Sequence, residues 1–158
     1  MHTSLEGSLT HHLKALSTQR PYSAAVQHDF LTAAGSLTLS PNRLALWLSQ
    51  DRIYAAHAYP RFIGLLISKI SFDAPAAEEE LNRETLALLT ACLEGIIRKV
   101  AFFEGTAKAF GLDIEGWVER KATRDYTAEM ARVASVGSLE EGLVFLWAME
   151  QVCNSRPS

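Results

Sequence analysis

The segment LWLSQDRIYAAHAYPRF, residues 46–62, places a carboxylate on the apolar stripe of a helical pattern. Apolar side chains recur there in steps of three and four residues, and Asp51 interrupts them, with Tyr54 one turn further along the same face. Burying an unpaired carboxylate is costly. Asp51 therefore either accepts hydrogen bonds from a neighbouring helix or faces a pocket and contacts a ligand. In the first case Asp51→Ala unfolds at a lower temperature; in the second it stays folded and loses the ligand.

The remainder of the chain also has helical periodicity and no alternating strand pattern. Pro41 follows Ser40 at a first helical position, where its missing N–H costs nothing. Pro60 predicts a kink further along that helix, and Ser138 with Glu141 forms a capping box. Helices are predicted over residues 5–17, 22–34, 41–69, 76–110, 122–135 and 138–153. The pattern predicts an all-α bundle in a single domain over residues 1–158.

Composition narrows the classes of partner. The 158 residues carry 15 basic and 18 acidic side chains, a formal net charge of -3, without a Lys/Arg-rich run, so no nucleic-acid partner is predicted. The longest apolar run, FIGLLISKI, is too short to cross a bilayer, and no membrane partner is predicted. Cys92 and Cys153 lack metal-ligand spacing, which predicts a cytoplasmic protein with reduced thiols. No cofactor and no metal are predicted.

Two stretches carry a family resemblance. The run GSLTLSPNRLALWLSQDRIYAAHAYPRF, residues 35–62, resembles the TenA family (thiaminase II) of the haem-oxygenase-like superfamily, and FFEGTAKAFGL, residues 102–112, resembles that family's next long helix. The resemblance covers essentially the whole chain and is strongest over residues 35–70. It implies a haem-oxygenase-like multi-helix bundle, C-terminally short and missing the last helices. It also implies a homo-oligomer with a small-molecule pyrimidine ligand.

The same resemblance implies a set of site residues. Asp51 matches the aspartate that contacts the pyrimidine nitrogens, and Tyr54 and Tyr126 match tyrosines that line the ring. The position of the family's nucleophilic cysteine is Met149 here, and a thioether has no proton to lose. A further tyrosine position is Cys153. The family's C-terminal glutamate has no counterpart in the sequence.

The resulting functional prediction is a TenA-like protein of thiamine salvage. It would bind, and in the enzymatic case hydrolyse, an aminopyrimidine or a related thiamine breakdown product, with Asp51 and Glu150 as the carboxylates for acid–base catalysis. Trp47 completes the predicted lining. Alternative interpretations are a non-catalytic binding or interaction module on the same fold and an oxidative enzyme similar to PqqC. Glu150 is otherwise a surface glutamate, and Cys153 an inert packed thiol or a substitute nucleophile.

Two further expectations complete the sequence-based interpretation. His11 and His12 lie in an early helix, where the superfamily has a haem-binding histidine, but exposed polar histidines are the simpler interpretation. A bundle without its last helices is expected to expose apolar surface, which favours self-association.

Overall fold

The computed structural model describes residues 8–16, 21–71 and 75–153, except for the side chains of residues 76, 77 and 153. Within these residues the regular structure is helical and no strand occurs, so the predicted all-α class is confirmed. The helices are α1 Leu9–Ala15, α2 Tyr22–Val26, α3 Asp29–Gly35, α4 Pro41–Ile53, α5 Tyr59–Ile67, α6 Ala76–Ala109, α7 Lys121–Val136 and α8 Leu139–Cys153, and a π-helical turn, Tyr54–Ala58, joins α4 to α5.

The chain forms two compact units. One comprises residues 1–39 and 149–158, and the other comprises residues 40–148. In the first unit, helices α1 to α3 contain no buried residue. The Tyr22 hydroxyl there donates a hydrogen bond to the carbonyl of Gln151 at 3.3 Å. The single domain over residues 1–158 stays a prediction.

The predicted helix over residues 22–34 is wrong, because the chain turns out of the helix at Gln27 and His28. The Nδ1 atom of His28 accepts a hydrogen bond from the amide of Phe30 at 3.0 Å and caps α3. A side-chain acceptor at this position satisfies an amide that has no partner within the helix, so a new helix begins there. Helical periodicity does not reveal a histidine cap, so the sequence pattern predicts one continuous helix here.

The predicted continuous helix over residues 41–69 is two α-helices with the π turn between them. The amide of Tyr59 donates to the carbonyl of Tyr54, five residues earlier, instead of the usual four. Pro60 follows at once and has no amide to donate. The π turn therefore absorbs the local disruption that the sequence predicted as a kink at Pro60.

The core of the second unit surrounds α5. Tyr59, Phe62, Ile63 and Leu66 of this helix are almost fully buried, and α5 packs on both α6 and α7. Gly142 of α8 approaches the same core so closely that a Cβ atom on it would lie 2.2 Å from Cδ2 of Leu66. Helix α5 is thus the central element on which the neighbouring helices are placed.

The capping box predicted at the start of α8 is confirmed. The amide of Ser138 donates to Oε2 of Glu141 at 2.8 Å, and the amide of Glu141 donates to Oγ of Ser138 at 3.2 Å. Ser40 precedes α4 as predicted, with Pro41 in the first turn, but its side chain makes no capping hydrogen bond.

Candidate ligand-binding site

Asp51 lies near the end of α4, three residues before the π turn, and is half-buried. Burial raises the pKa of its carboxyl above the ordinary aspartate value, and the nearby positive charge of Lys99 lowers it by a smaller amount. In the described part of the chain the carboxylate has no hydrogen bond and no ion pair. The observed environment is therefore one that disfavours the charged form of Asp51.

An aromatic cluster begins one turn after Asp51. The ring centroids of Tyr54 and Tyr126 lie 5.6 Å apart, and those of Tyr54 and Tyr59 lie 5.8 Å apart with nearly perpendicular planes. Tyr126 also stacks on Phe145 at 6.1 Å. These distances are in the range that stabilises aromatic pairs. The cluster joins the π turn, α7 and α8 around the buried ring of Tyr54.

Gln50, the residue before Asp51, fixes the start of α7. Its amide oxygen accepts hydrogen bonds from the amide of Arg120 and the hydroxyl of Thr123, both at 2.8 Å. Its amide nitrogen donates to the carbonyl of Val118 at 3.2 Å. Arg120 is the residue that precedes α7, so one side chain of α4 satisfies backbone groups at the end of the connector and holds α7 in place.

A cavity of about 400 Å³ opens beside this cluster, between the π turn with α5 on one side and α7 with its preceding connector on the other. Its apolar wall consists largely of aliphatic and aromatic side chains, and its polar wall contains two arginines, a histidine, a glutamate and a threonine. The lining residues are Ile53, His57, Ala58, Arg61, Phe62, Leu65, Glu119, Arg124, Thr127, Ala128 and Ala131. This volume is within the range of pockets that hold small molecules.

The charges around the cavity are unbalanced. Arg61 of α5 and Arg124 of α7 both line it, and neither makes an ion pair with any described residue. Glu119 is the acidic residue of the lining, and it accepts a hydrogen bond from the hydroxyl of Thr127 at 3.0 Å. The lining thus has a formal positive charge of one with His57 neutral.

The residues predicted as a site from the sequence do not line this cavity. Asp51, Tyr54 and Tyr126 belong to the second unit, and the two tyrosine rings are in contact there. Trp47 is half-buried in α4 of the same unit. Their assignment to a ligand site stays a prediction.

The other predicted site residues belong to the first unit. Met149 is buried and Glu150 is half-buried near the end of α8, and the side chain of Cys153 lies outside the description. Their roles in binding and the catalytic roles of Asp51 and Glu150 stay predictions. His11 and His12 are exposed, Cys92 is half-buried, and the described residues contain no cluster of His, Cys, Asp or Glu that could hold a metal ion.

Sequence-based reasoning missed the polar residues of the cavity. A usable signal was present, since His57 and Arg61 are four residues apart, and Arg124 and Thr127 are three apart. Each pair therefore lies on one helix face. An apolar stripe predicts the buried face of a helix, and a face of mixed polar and apolar residues between two helices does not follow from that stripe.

Over 129 residues, 80% of this chain, the sequence is 35% identical to a protein from Fusarium pseudograminearum (strain CS3096) named "Probable transcription factor". This chain spans about a quarter of that relative's length, since the match covers 25% of it. No protein-family profile matches the sequence, and no solved structure matches it.

This relative overturns the predicted function. A role in thiamine salvage, with binding or hydrolysis of a thiamine breakdown product, is wrong, because the similarity found is to a protein named as a transcription factor. The prediction rested on matching residues such as Asp51 and Tyr54 to a family motif while the catalytic half was missing. The resemblance to the TenA family and its haem-oxygenase-like fold stays a prediction. Among the described helices, none is long and apolar enough to span a membrane.

Proposed function

We propose that this chain is a regulatory domain of a transcription-factor-type protein, and that it acts by binding a small molecule in the cavity between α5 and α7. The relative named as a probable transcription factor supports the regulatory context. The observation that carries the ligand-binding role is the cavity of about 400 Å³ with unpaired arginines on its wall.

The charge of this chain argues against direct contact with DNA. Proteins that bind DNA neutralise phosphates with clustered Lys and Arg side chains. This chain has more acidic than basic residues, 18 against 15, and its basic residues are dispersed along the sequence. A ligand-responsive role agrees better with this charge than a DNA-contacting one.

The π turn supports a regulatory role for the cavity. Single π-helical turns within α-helices occur frequently at functional sites. Here the turn contributes His57 and Ala58 to the cavity and Tyr54 to the aromatic cluster with Tyr126. A ligand against His57 therefore contacts the same turn that packs on α7, which gives occupancy of the cavity a route to the helix packing.

A reporter experiment tests this function. The chain is fused to a heterologous DNA-binding domain, and reporter transcription is compared between the unchanged chain, Ala128→Trp and Ala122→Trp. Ala128 lines the cavity, whereas Ala122 is exposed in the first turn of α7 and does not line it. We expect Ala128→Trp to change output by about fivefold or more, the scale of typical allosteric coupling, and Ala122→Trp to leave it unchanged. Equal output from both variants and from the DNA-binding domain alone contradicts the proposal.

A second role, self-association, has its own supporting observation. Leu81, Leu88 and Phe102 of α6 are 62%, 54% and 65% exposed, and they occur at multiples of seven residues with Gly95 at the intervening position. These positions lie on one face of α6, called here the seam of α6, and exposed apolar side chains that share a face favour association between copies. We therefore retain a homo-oligomer, paired through α6, as a proposal.

A further inference from the structure

The two arginines of the cavity carry an inference about the kind of ligand, which rests on the proposed ligand-binding role. We infer that the cavity binds a small organic anion, a carboxylate on an apolar body, with the anionic group between Arg61 and Arg124. The relative's name does not specify any ligand, so the argument depends on the chemistry of the cavity wall.

The two arginines of the cavity have no acidic partner among the described residues. Among the other described arginines, Arg52, Arg83 and Arg132 each have an acidic partner within ion-pair distance, whereas Arg43, Arg98 and Arg120 have none and do not line the cavity. Arg61 and Arg124 have none, although Glu119 lines the same cavity. These two guanidinium groups are therefore available to a ligand.

The two arginines lie on opposite sides of the cavity. Arg61 extends from α5 and Arg124 from α7, two helices that pack against each other. The cavity lies between them, so a group bound there can be contacted from both sides. A guanidinium group presents paired N–H donors that match the two oxygens of a carboxylate, which makes arginine well suited to bind such a group.

Glu119 is the acidic residue of the cavity lining. Glu119 already accepts a hydrogen bond from Thr127 on α7, so part of its acceptor capacity is used within the wall. One carboxylate against two guanidinium groups leaves the lining positive. A cationic ligand would face this excess charge, whereas an anion would neutralise it.

The apolar wall of the cavity indicates the chemistry of the rest of the ligand. Apart from its charged and polar residues, the cavity is bounded by Ile53, Phe62 and Leu65, and by the small side chains of Ala58, Ala128 and Ala131. Such a wall gains free energy by covering apolar surface. A free inorganic anion would leave this wall in contact with water, so the ligand class that matches both walls is an anion with an apolar body.

Calorimetric titration of the purified chain with matched probes tests the inference. The probes are 2-naphthoate, its neutral amide 2-naphthamide and the cation 2-naphthylmethylamine, which share the apolar body and differ in charge. We expect 2-naphthoate to bind about tenfold more tightly than the amide, and the amine to bind more weakly than either. Equal affinity for all three probes would overturn the inference.

Variants locate the anionic group. Arg61→Gln and Arg124→Gln are each expected to weaken 2-naphthoate binding by about tenfold and to leave amide binding unchanged. Arg43→Gln, an exposed arginine outside the cavity lining, is the matched control and should change neither affinity. If Arg43→Gln weakens carboxylate binding as much as the cavity variants, the preference is a non-specific charge effect and the inference fails.

The outcomes separate this inference from the proposed function. If the neutral amide binds as tightly as the carboxylate and the reporter still responds to Ala128→Trp, the inference of an anionic ligand is refuted. The proposed ligand-binding role of the domain then still stands. A silent reporter together with no probe binding refutes both. Arg61 and Arg124 are exposed, so their variants should fold. If one variant does not fold, the ratio of the carboxylate and amide affinities of the unchanged chain still tests the inference.

Discussion

At the residue scale, Asp51 has an environment that opposes its charge. Burial raises the pKa of its carboxyl, the effect of Lys99 is smaller, and the described residues provide no hydrogen bond to it. The ammonium group of Lys99 itself lies 5.9 Å from the ring centroid of Phe103. Because burial disfavours the charged carboxylate, we expect this group to reduce the stability of the fold at neutral pH.

Asp51→Asn is expected to raise the Tm at pH 7. The folded-state pKa of Asp51 lies above its unfolded value, so the folded chain binds more protons between these two values and its stability falls as pH rises through that window. The increase in Tm of Asp51→Asn should therefore be present above the folded-state pKa of Asp51 and disappear below its unfolded-state pKa of about 3.9. Thermal unfolding followed by circular dichroism from pH 3 to pH 8 measures both.

Asp125→Asn is the control for this comparison. Asp125 is exposed and pairs with Lys121 on the same helix, so its replacement should lower stability by no more than about 0.5 kcal/mol. A lower Tm for Asp51→Asn at every pH would show that Asp51 stabilises the fold as a hydrogen-bond acceptor.

At the element scale, Gln50 determines where α7 begins. Gln50→Ala removes three hydrogen bonds to the connector and α7, and we expect the free energy of unfolding to fall by about 1–3 kcal/mol. Gln50→Glu keeps an acceptor for Arg120 and Thr123 and loses the donor to the Val118 carbonyl and the Ser49 hydroxyl, so its loss of stability should be smaller than that of Gln50→Ala. Urea titration of the three proteins measures the order; equal losses would contradict the assigned roles of the two amide atoms.

The close approach of α8 to α5 provides a second test at this scale. Gly142→Ala places a methyl group against Leu66, which is fully buried and cannot move freely. Overpacking of about 1–3 kcal/mol exceeds the gain of about 0.5–1 kcal/mol from replacing glycine within a helix, so stability should fall. Gly105→Ala in α6 meets no atom within 4 Å and should raise stability. If urea unfolding shows that the free energy of unfolding changes in the same direction in both variants, this packing is contradicted.

Much of this element scale was predictable from the sequence, and the exceptions have physical causes. The capping box of Ser138 and Glu141 uses side chains three residues apart, so the start of α8 was correctly predicted. The division at His28 depends on an imidazole acting as a cap, and the π turn depends on how the chain accommodates Pro60 within a packed core. Neither follows from periodicity.

The candidate site was less predictable than the fold. The contact between Tyr54 and Tyr126 joins residues 72 positions apart in number, and a family resemblance placed both near one ligand. The cavity instead takes its polar wall from Arg61, Glu119 and Arg124, which come together only when α5 packs on α7. Sequence spacing identifies residues on one helix face and does not identify which faces meet.

At the scale of the whole molecule, the exposed seam of α6 predicts association between copies. Leu88→Glu introduces a charge into the seam and should shift the sedimentation distribution towards monomer, because a buried unpaired carboxylate is costly. Thr90→Glu adds the same charge at an exposed position away from Leu81, Leu88 and Phe102 and serves as the control. A monomeric unchanged chain at about 100 μM, a level that populates weak dimers, would contradict the paired seam.

The central claim is that the cavity between α5 and α7 binds a small ligand, and occlusion of that cavity tests it most directly. Calorimetric titration with 2-naphthoate is carried out on the unchanged chain, on Ala128→Trp and on Ala122→Trp, with melting curves to confirm that each protein is folded. We predict equal dissociation constants for the unchanged chain and Ala122→Trp, and at least about tenfold weaker binding for Ala128→Trp. A folded Ala128→Trp variant that binds 2-naphthoate as tightly as the unchanged chain would contradict the account.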